Sequence, residues 1–350
     1  MTHPLNQDLI NRRKFGFIAS GTALSLALPG LAFAQATYEA AKKEGKVVVY
    51  TDMPGETVER MIAAFKGKYA GIDVEFVRGD TTQVFQRFQT ETAANRHTVD
   101  ALTSTVRRMR HMSREKLLGI YKSPALANYP KDLNPDQGEW AVYSVSLTSF
   151  AWNTRQVPAG QEPKSWDDLL NPRWKGKIGM QDPLQGGGVA SWIATMYGVW
   201  GEAKWADYMT RLAAQNPTYG RYLPVQDSLG GGEISIMVAA YPDYVQATLK
   251  AKGAPVEWGV PSPVVRTPLA TGVSANAPRP NAAKLWVDFM LSADAQKILA
   301  DRGALPALQT QWADHFSRLK TATFVAPADE LEEQRQDFFQ AKMKEFFGKR

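Results

Sequence analysis

The sequence predicts an α/β protein of two lobes, each a mostly parallel sheet flanked by helices, with two strands crossing between them. Three observations support this. Strand-like and helix-like segments alternate from Lys46 onward, the order that builds a parallel sheet through right-handed crossovers. Two long β-prone runs, Trp140 to Thr154 and Glu257 to Ala275, stand where chain crossings would fall. The length of 350 residues is large for a single core, because cores beyond about 250–300 residues tend to divide.

The first 34 residues are read apart from the fold. Arg12, Arg13 and Lys14 precede an uncharged, mostly apolar run from Phe15 to Phe33, which closes on Ala32-Phe33-Ala34. That is the layout of a secretory leader with its small-residue cleavage site, here expected near Ala34. The paired arginines are compatible with twin-arginine export. The expected mature protein is periplasmic, and losing three basic residues and one acid takes the net charge from +6 to +4. These charges are dispersed, which argues against nucleic acid as a partner. The chain has no cysteine, so disulfides, thiolate metal sites and cysteine nucleophiles are excluded.

The elements follow in order. Ala36 to Lys43 reads as a short helix stopped by Gly45. "KVVVYTD" is a buried strand, Gly55 to Lys68 a helix, and "IDVEFVRGD" an alternating strand. "TTQVFQRFQTETAA" is a helix capped by Thr81 or Thr82. "TVDALTST" is a third strand. Ligands of such sheets gather at the carboxyl ends of the strands. Three polar tips fall there: Tyr50-Thr51-Asp52, Asp80-Thr81-Thr82 and Thr103-Ser104-Thr105. Beyond the first crossing, three glycines, Gly186 to Gly188, open an apolar helix. "EISIMVAAY" is a strand delivering Tyr241, with Pro242 and Asp243 at the turn. Helices are expected at Asn281 to Met290 and Ala293 to Arg302. The amphipathic C-terminal segment is expected to dock on a lobe through its apolar face. The lobes divide as residues 35–142 with 270–312, and 143–269 with 313–350.

"VVVYTD", "PKSWDDLLNPRWKGKIGMQDP" and "DFMLSADAQKILADRGALP" resemble the periplasmic solute-binding proteins of ABC transporters, in the type II subgroup with ferric-ion, spermidine, thiamine and phosphonate binders. The resemblance spans nearly the whole mature chain. It implies a periplasmic-binding-protein-like fold closing on a solute in the interlobe cleft, no catalysis, no fixed cofactor, and delivery to an inner-membrane permease by what is expected to be a monomer. Ferric members hold iron through a histidine, a glutamate, two adjacent tyrosines and an anion. This sequence has Thr51 to Pro54 where the histidine would be, Thr103 to Thr105 where the glutamate would be, and Tyr241-Pro242 for the tyrosine pair. Three of the four protein ligands are therefore missing, and no metal site is expected. The glycine-led helix start is retained, and backbone N–H groups there favour an anion.

The expected ligand contacts are Tyr50, Thr51, Asp52, Thr81, Thr82, Thr103, Ser104, Thr105, Gly186, Gly187, Gly188, Tyr241 and Asp243. The expected cargo is a small organic anion: a phosphonate, phosphate ester or carboxylate. Asp52, Asp80, Asp182 and Asp243 cut against an anion unless they cap turns, so ferric ion and a cationic amine stay open as alternatives. A secreted α/β hydrolase is the alternative of another class. No G-x-S-x-G or H-E-x-x-H motif supports it. Arg107, two residues beyond Thr105, is placed to reach an anion or to sit on a solvated helix face.

Overall fold

The computed structural model describes residues 29–79, 81–131, 133–134, 138–185 and 188–348. The basic and apolar parts of the expected leader, up to residue 28, lie outside this range. The chain begins with α1 (Pro29–Glu44), β1 (Lys46–Thr51), α2 (Gly55–Lys68), β2 (Asp73–Arg78), α3 (Thr81–Ala93), β3 (Ala101–Thr105), α4 (Val106–Arg114) and the short β4 (Leu118–Gly119). After the long β5 (Ala141–Asn153) come β6 (Ile178–Gln181), α5 (Gly188–Trp200), α6 (Glu202–Ala214), β7 (Thr218–Gly220), α7 (Tyr222–Gly231), β8 (Ile236–Ala240), the one-turn α8 (Pro242–Tyr244) and β9 (Val256–Trp258). The return runs through β10 (Val264–Ser274), α9 (Pro280–Met290), α10 (Ala293–Asp301) and β11 (Leu305–Pro306), and ends with β12 (Phe324–Val325), α11 (Asp329–Gln334) and α12 (Gln336–Phe347).

The strands lie in the order β2-β1-β3-β10-β5-β8-β6-β7. β1 is parallel to β2 and β3, and β6 is parallel to β7 and β8. These are the two parallel units the sequence predicts. The antiparallel pair β5–β10 joins them. The first part of β5 also pairs with β11, and its last residues pair with β8 and β9. The second expected crossing is broken into β9 and β10. Pro261 and Pro263 fall in the gap, and proline cannot donate to a ladder.

Apolar side chains form two clusters. One packs α2, α4, α9 and α10 on the first sheet and continues beneath β8. The other fills the far face of the second sheet around Trp166, Trp174, Trp192 and Trp205. The C-terminal segment docks as its pattern predicts, with Phe339, Met343 and Phe347 of α12 buried in the second cluster. Burying one such side chain contributes about 1.5–3 kcal/mol. Polar ties fix the first lobe. Asp100 is 0% exposed and accepts from Val48 N (2.7 Å), Arg279 N (2.9 Å) and Arg279 Nε (2.7 Å), joining β1 and β3 to the start of α9.

Candidate cleft site

On the first lobe the structure joins three of the expected contacts. The Met53 N–H donates to Thr51 Oγ1 (3.1 Å), and Thr51 Oγ1 lies 2.9 Å from Thr103 Oγ1. Thr103 in turn donates to Asp52 Oδ1 (3.2 Å). A hydroxyl has one proton, so the chain runs one way, from Met53 through both threonines to the Asp52 carboxylate. Tyr143 of β5 packs against this group. Its phenol is pushed well up by burial, and further by the Asp52 charge. Ser104 is buried, and Thr105 caps α4 by accepting from Arg108 N (3.5 Å).

Tyr50, expected beside them, points elsewhere. Successive strand residues face opposite sides, and with Thr51 turned to Thr103, Tyr50 turns to α3. Its hydroxyl donates to Glu91 Oε2 (2.7 Å), and Arg87 lies 5.3 Å from its ring centroid. Arg107 also has a protein partner, Glu332, at 3.2 Å. Thr81 and Thr82 open α3. Their side chains, together with Asp80, Gly186 and Gly187, lie outside what the structure describes.

On the second lobe, β8 carries an irregularity one residue before its end. Ser149 pairs with Ala240 while Phe150 pairs with Val238. Ala239 is left between them at φ 55°, a left-handed conformation that costs an alanine about 1–2 kcal/mol. Such a bulge re-aims the strand, and here the next side chain but one is Tyr241. The Tyr241 ring packs on Tyr222 of α7, tilted by 35°, with centroids 4.4 Å apart. Tyr241 N donates to Tyr222 Oη (3.0 Å), which also meets Gln226 Nε2. The Tyr241 hydroxyl instead reaches Gly188. A Cβ built on that glycine would lie 1.6 Å from Tyr241 Oη. With Tyr241 in this position Gly188 has no room for a side chain, and the phenol oxygen rests on the first residue of α5.

Burial, and then Asp243, push the Tyr241 phenol up to about 12. It is a neutral donor at physiological pH. Asp243, the next-but-one residue, has a buried Oδ1 without a hydrogen-bond partner, and burial pushes its carboxyl up to about 6. Asp182, by contrast, holds a turn: it accepts from Leu184 N (3.0 Å) and Gln185 Nε2 (3.2 Å). Gln181 Oε1 accepts from Val189 N (3.4 Å) in the first turn of α5.

Sequence reasoning missed Tyr222, Gln226, Gln181 and Tyr143. Tyr222 follows a strand end just as Tyr241 does, but β7 has only three residues, too few for a period to show.

Two parallel α/β units joined by antiparallel crossing strands, with polar side chains at the strand ends of both, are the two-lobed architecture of periplasmic binding proteins. The chain belongs to the family of bacterial extracellular solute-binding proteins, whose profile matches residues 100–331. It is 28% identical over 305 residues to an uncharacterised protein of Haemophilus influenzae, covering 83% of this chain and 84% of the relative. It is 27% identical over 139 residues, 40% of each chain, to an Fe(3+)-binding periplasmic protein of Serratia marcescens. Among solved structures, the periplasmic binding protein P5PA shares 25% identity at TM-score 0.69, over 86% of this chain and 99% of that one. AfuA of Actinobacillus pleuropneumoniae, with fructose-6-phosphate bound, shares 22% at TM-score 0.69 over 88% and 100%. Iron-bound HitA of Pseudomonas aeruginosa shares 22% at TM-score 0.72 over 85% and 99%.

Proposed function

We propose that this solute-binding protein of an ABC importer carries a small organic anion, with a phosphate ester as the first candidate, and hands it to its membrane permease. The observation that carries the reading is the neutral Tyr241 hydroxyl resting on Gly188 at the start of α5. A helix start offers backbone N–H groups and the positive end of a dipole, and the phenol adds a donor beside them. Asp52, across the cleft, accepts from the ligand's hydroxyl groups. AfuA, of the same fold, binds a sugar phosphate of this description.

The ferric reading is supported by the Fe(3+)-binding relative of Serratia marcescens, by the fold shared with iron-bound HitA, and by one feature of the structure. Tyr222, Tyr241 and Tyr244 gather on the second lobe. The geometry opposes it. The Tyr222 hydroxyl lies at the backbone of Tyr241, whereas the Tyr241 hydroxyl lies at Gly188. The two hydroxyls are thus directed at different partners in the ligand-free protein. Calorimetric titration with fructose-6-phosphate, a phosphonate, a dicarboxylate, inorganic phosphate and ferric citrate tests the choice. Saturable heat with a phosphate ester is expected. Tight binding of ferric ion with none of the anions would overturn the proposal.

A further inference from the structure

We propose that Glu332 is a positioning residue that ties the first turns of α4 and α5 together across the lobes, setting how far apart the two helix starts stand. α4 belongs to the first lobe, with Met109 and Met112 buried in its core cluster. α11 belongs to the second. The residue before it, Ala328, donates through its N–H to Thr195 Oγ1 of α5 (3.1 Å), and Leu331 packs on the second cluster.

Glu332 reaches both ways from this seat. Its Oε2 lies 3.2 Å from Arg107 Nη1, and on its other side Ser191 of α5 is near enough to act on the carboxylate. Arg107 is the second residue of α4, directly after the Thr105 cap. Ser191 is the fourth residue of α5, in the turn that Gly188 begins. The carboxylate therefore pairs with the opening turn of α4 from a helix held on α5, the two helices that start at candidate binding tips. A second, longer contact, Arg110 Nη1 to Glu330 Oε1 at 4.0 Å, lies beside it.

The side chains are partly open, Arg107 at 41% and Glu332 at 20%. A pair of this exposure shifts an equilibrium by about two- to fivefold. That is small for folding and sufficient for a hinge whose open and closed forms lie within a few kcal/mol. The chain reaches α11 after leaving β11, paired to the first-lobe part of β5, and joining β12, paired to β10 at Val264 and Val265. The bridge thus acts on a third passage between the lobes.

The chain lacks cysteine, so spin labels on Glu59→Cys in α2 and Ala203→Cys in α6, both exposed positions, report the interlobe distance cleanly. Electron–electron double resonance is run on the ligand-free protein, after circular dichroism has confirmed the fold of each variant. Glu332→Gln and Arg107→Gln are each expected to move population toward longer distances, about two- to fivefold. The exchange Arg107→Glu with Glu332→Arg is expected to restore the original distribution. Unchanged distances in both single variants, or an exchange that behaves like the singles, would overturn the proposal. The measurement involves no cargo, so either result leaves the anion reading of the cleft untouched.

Discussion

Tyr241 and Gly188 are far apart in sequence and meet in space, and each explains the other. Replacing the hydroxyl in Tyr241→Phe keeps the ring packed on Tyr222 and removes one donor. Cargo affinity is expected to fall by about 0.5–1.5 kcal/mol, the net value of one ordinary hydrogen bond, measured by calorimetry with the ester found in the screen. The same protein mixed with ferric citrate is expected to stay colourless, since a phenol pushed up to about 12 does not become iron-tyrosinate without a fuller ligand set. A stable coloured complex that vanishes in Tyr241→Phe would restore iron as cargo. Gly188→Ala places its methyl 1.6 Å from Tyr241 Oη, so the phenol must swing away. Binding is expected to fall at least as far as in Tyr241→Phe, with cooperative unfolding retained. Wild-type affinity in this variant would dissociate Gly188 from the site. Both residues were legible in the sequence, one as the end of a strand and the other as the last of three glycines. Their contact was not, and neither was Tyr222, because stacking partners are set by how β7 and β8 are laid side by side.

Elements were more legible than partners. β5 was expected from Trp140 to Thr154 and runs Ala141–Asn153, since a long run of β-branched, aromatic and small residues has no competing helical period. α9 and α10 match within a residue. The bulge at Ala239 was invisible, because nothing in "MVAAY" announces a left-handed alanine. It matters because the one-turn α8 that follows carries Asp243 with a buried, unpartnered Oδ1. Burial raises the folded-state pKa of this carboxyl to about 6 from its ordinary value of 3.8. Between those values the folded state holds the proton more firmly than the unfolded chain, so stability falls as pH rises through the window. Asp243→Asn cannot ionise. It is expected to lose this fall and to be the more stable protein above pH 6, by about 1–3 kcal/mol. Denaturant titrations of both proteins at pH 4 and pH 7 check the sign, and a parallel pair of pH profiles would refute it. Burial pushes the Asp100 carboxyl up as well, but there three short bonds from Val48 and Arg279 work against it. Asp100→Ala leaves Arg279 without its carboxylate and is expected to cost about 3–5 kcal/mol, read as a lower denaturant midpoint.

At the scale of the molecule, the question is where the lobes pivot. Two crossing strands were predicted from two β-prone runs, and they turn out to be hydrogen-bonded neighbours, β5 and β10. Their ladder is weakest at one place. Pro268 lacks an N–H, and the register slips between Leu269 and Ala270. Residues 266–269 are also the half-buried stretch of an otherwise buried strand. On one side of this point β10 pairs with β3 of the first lobe, and on the other with β12. A hinge needs a few residues able to absorb a change of φ and ψ while the packed units on either side stay rigid. This stretch fits that need, since Pro268 takes one donor out of the ladder, the register slips beside it, and a core cluster lies on each side. We predict that saturating cargo brings the lobes together about this point. Small-angle scattering should then show a smaller radius of gyration with the ester bound than without. Leu269→Pro, which would stiffen φ and remove a further N–H at the pivot, should reduce that compaction. An unchanged radius of gyration at full occupancy would mean that the cleft is preformed and that β5 and β10 are a spine.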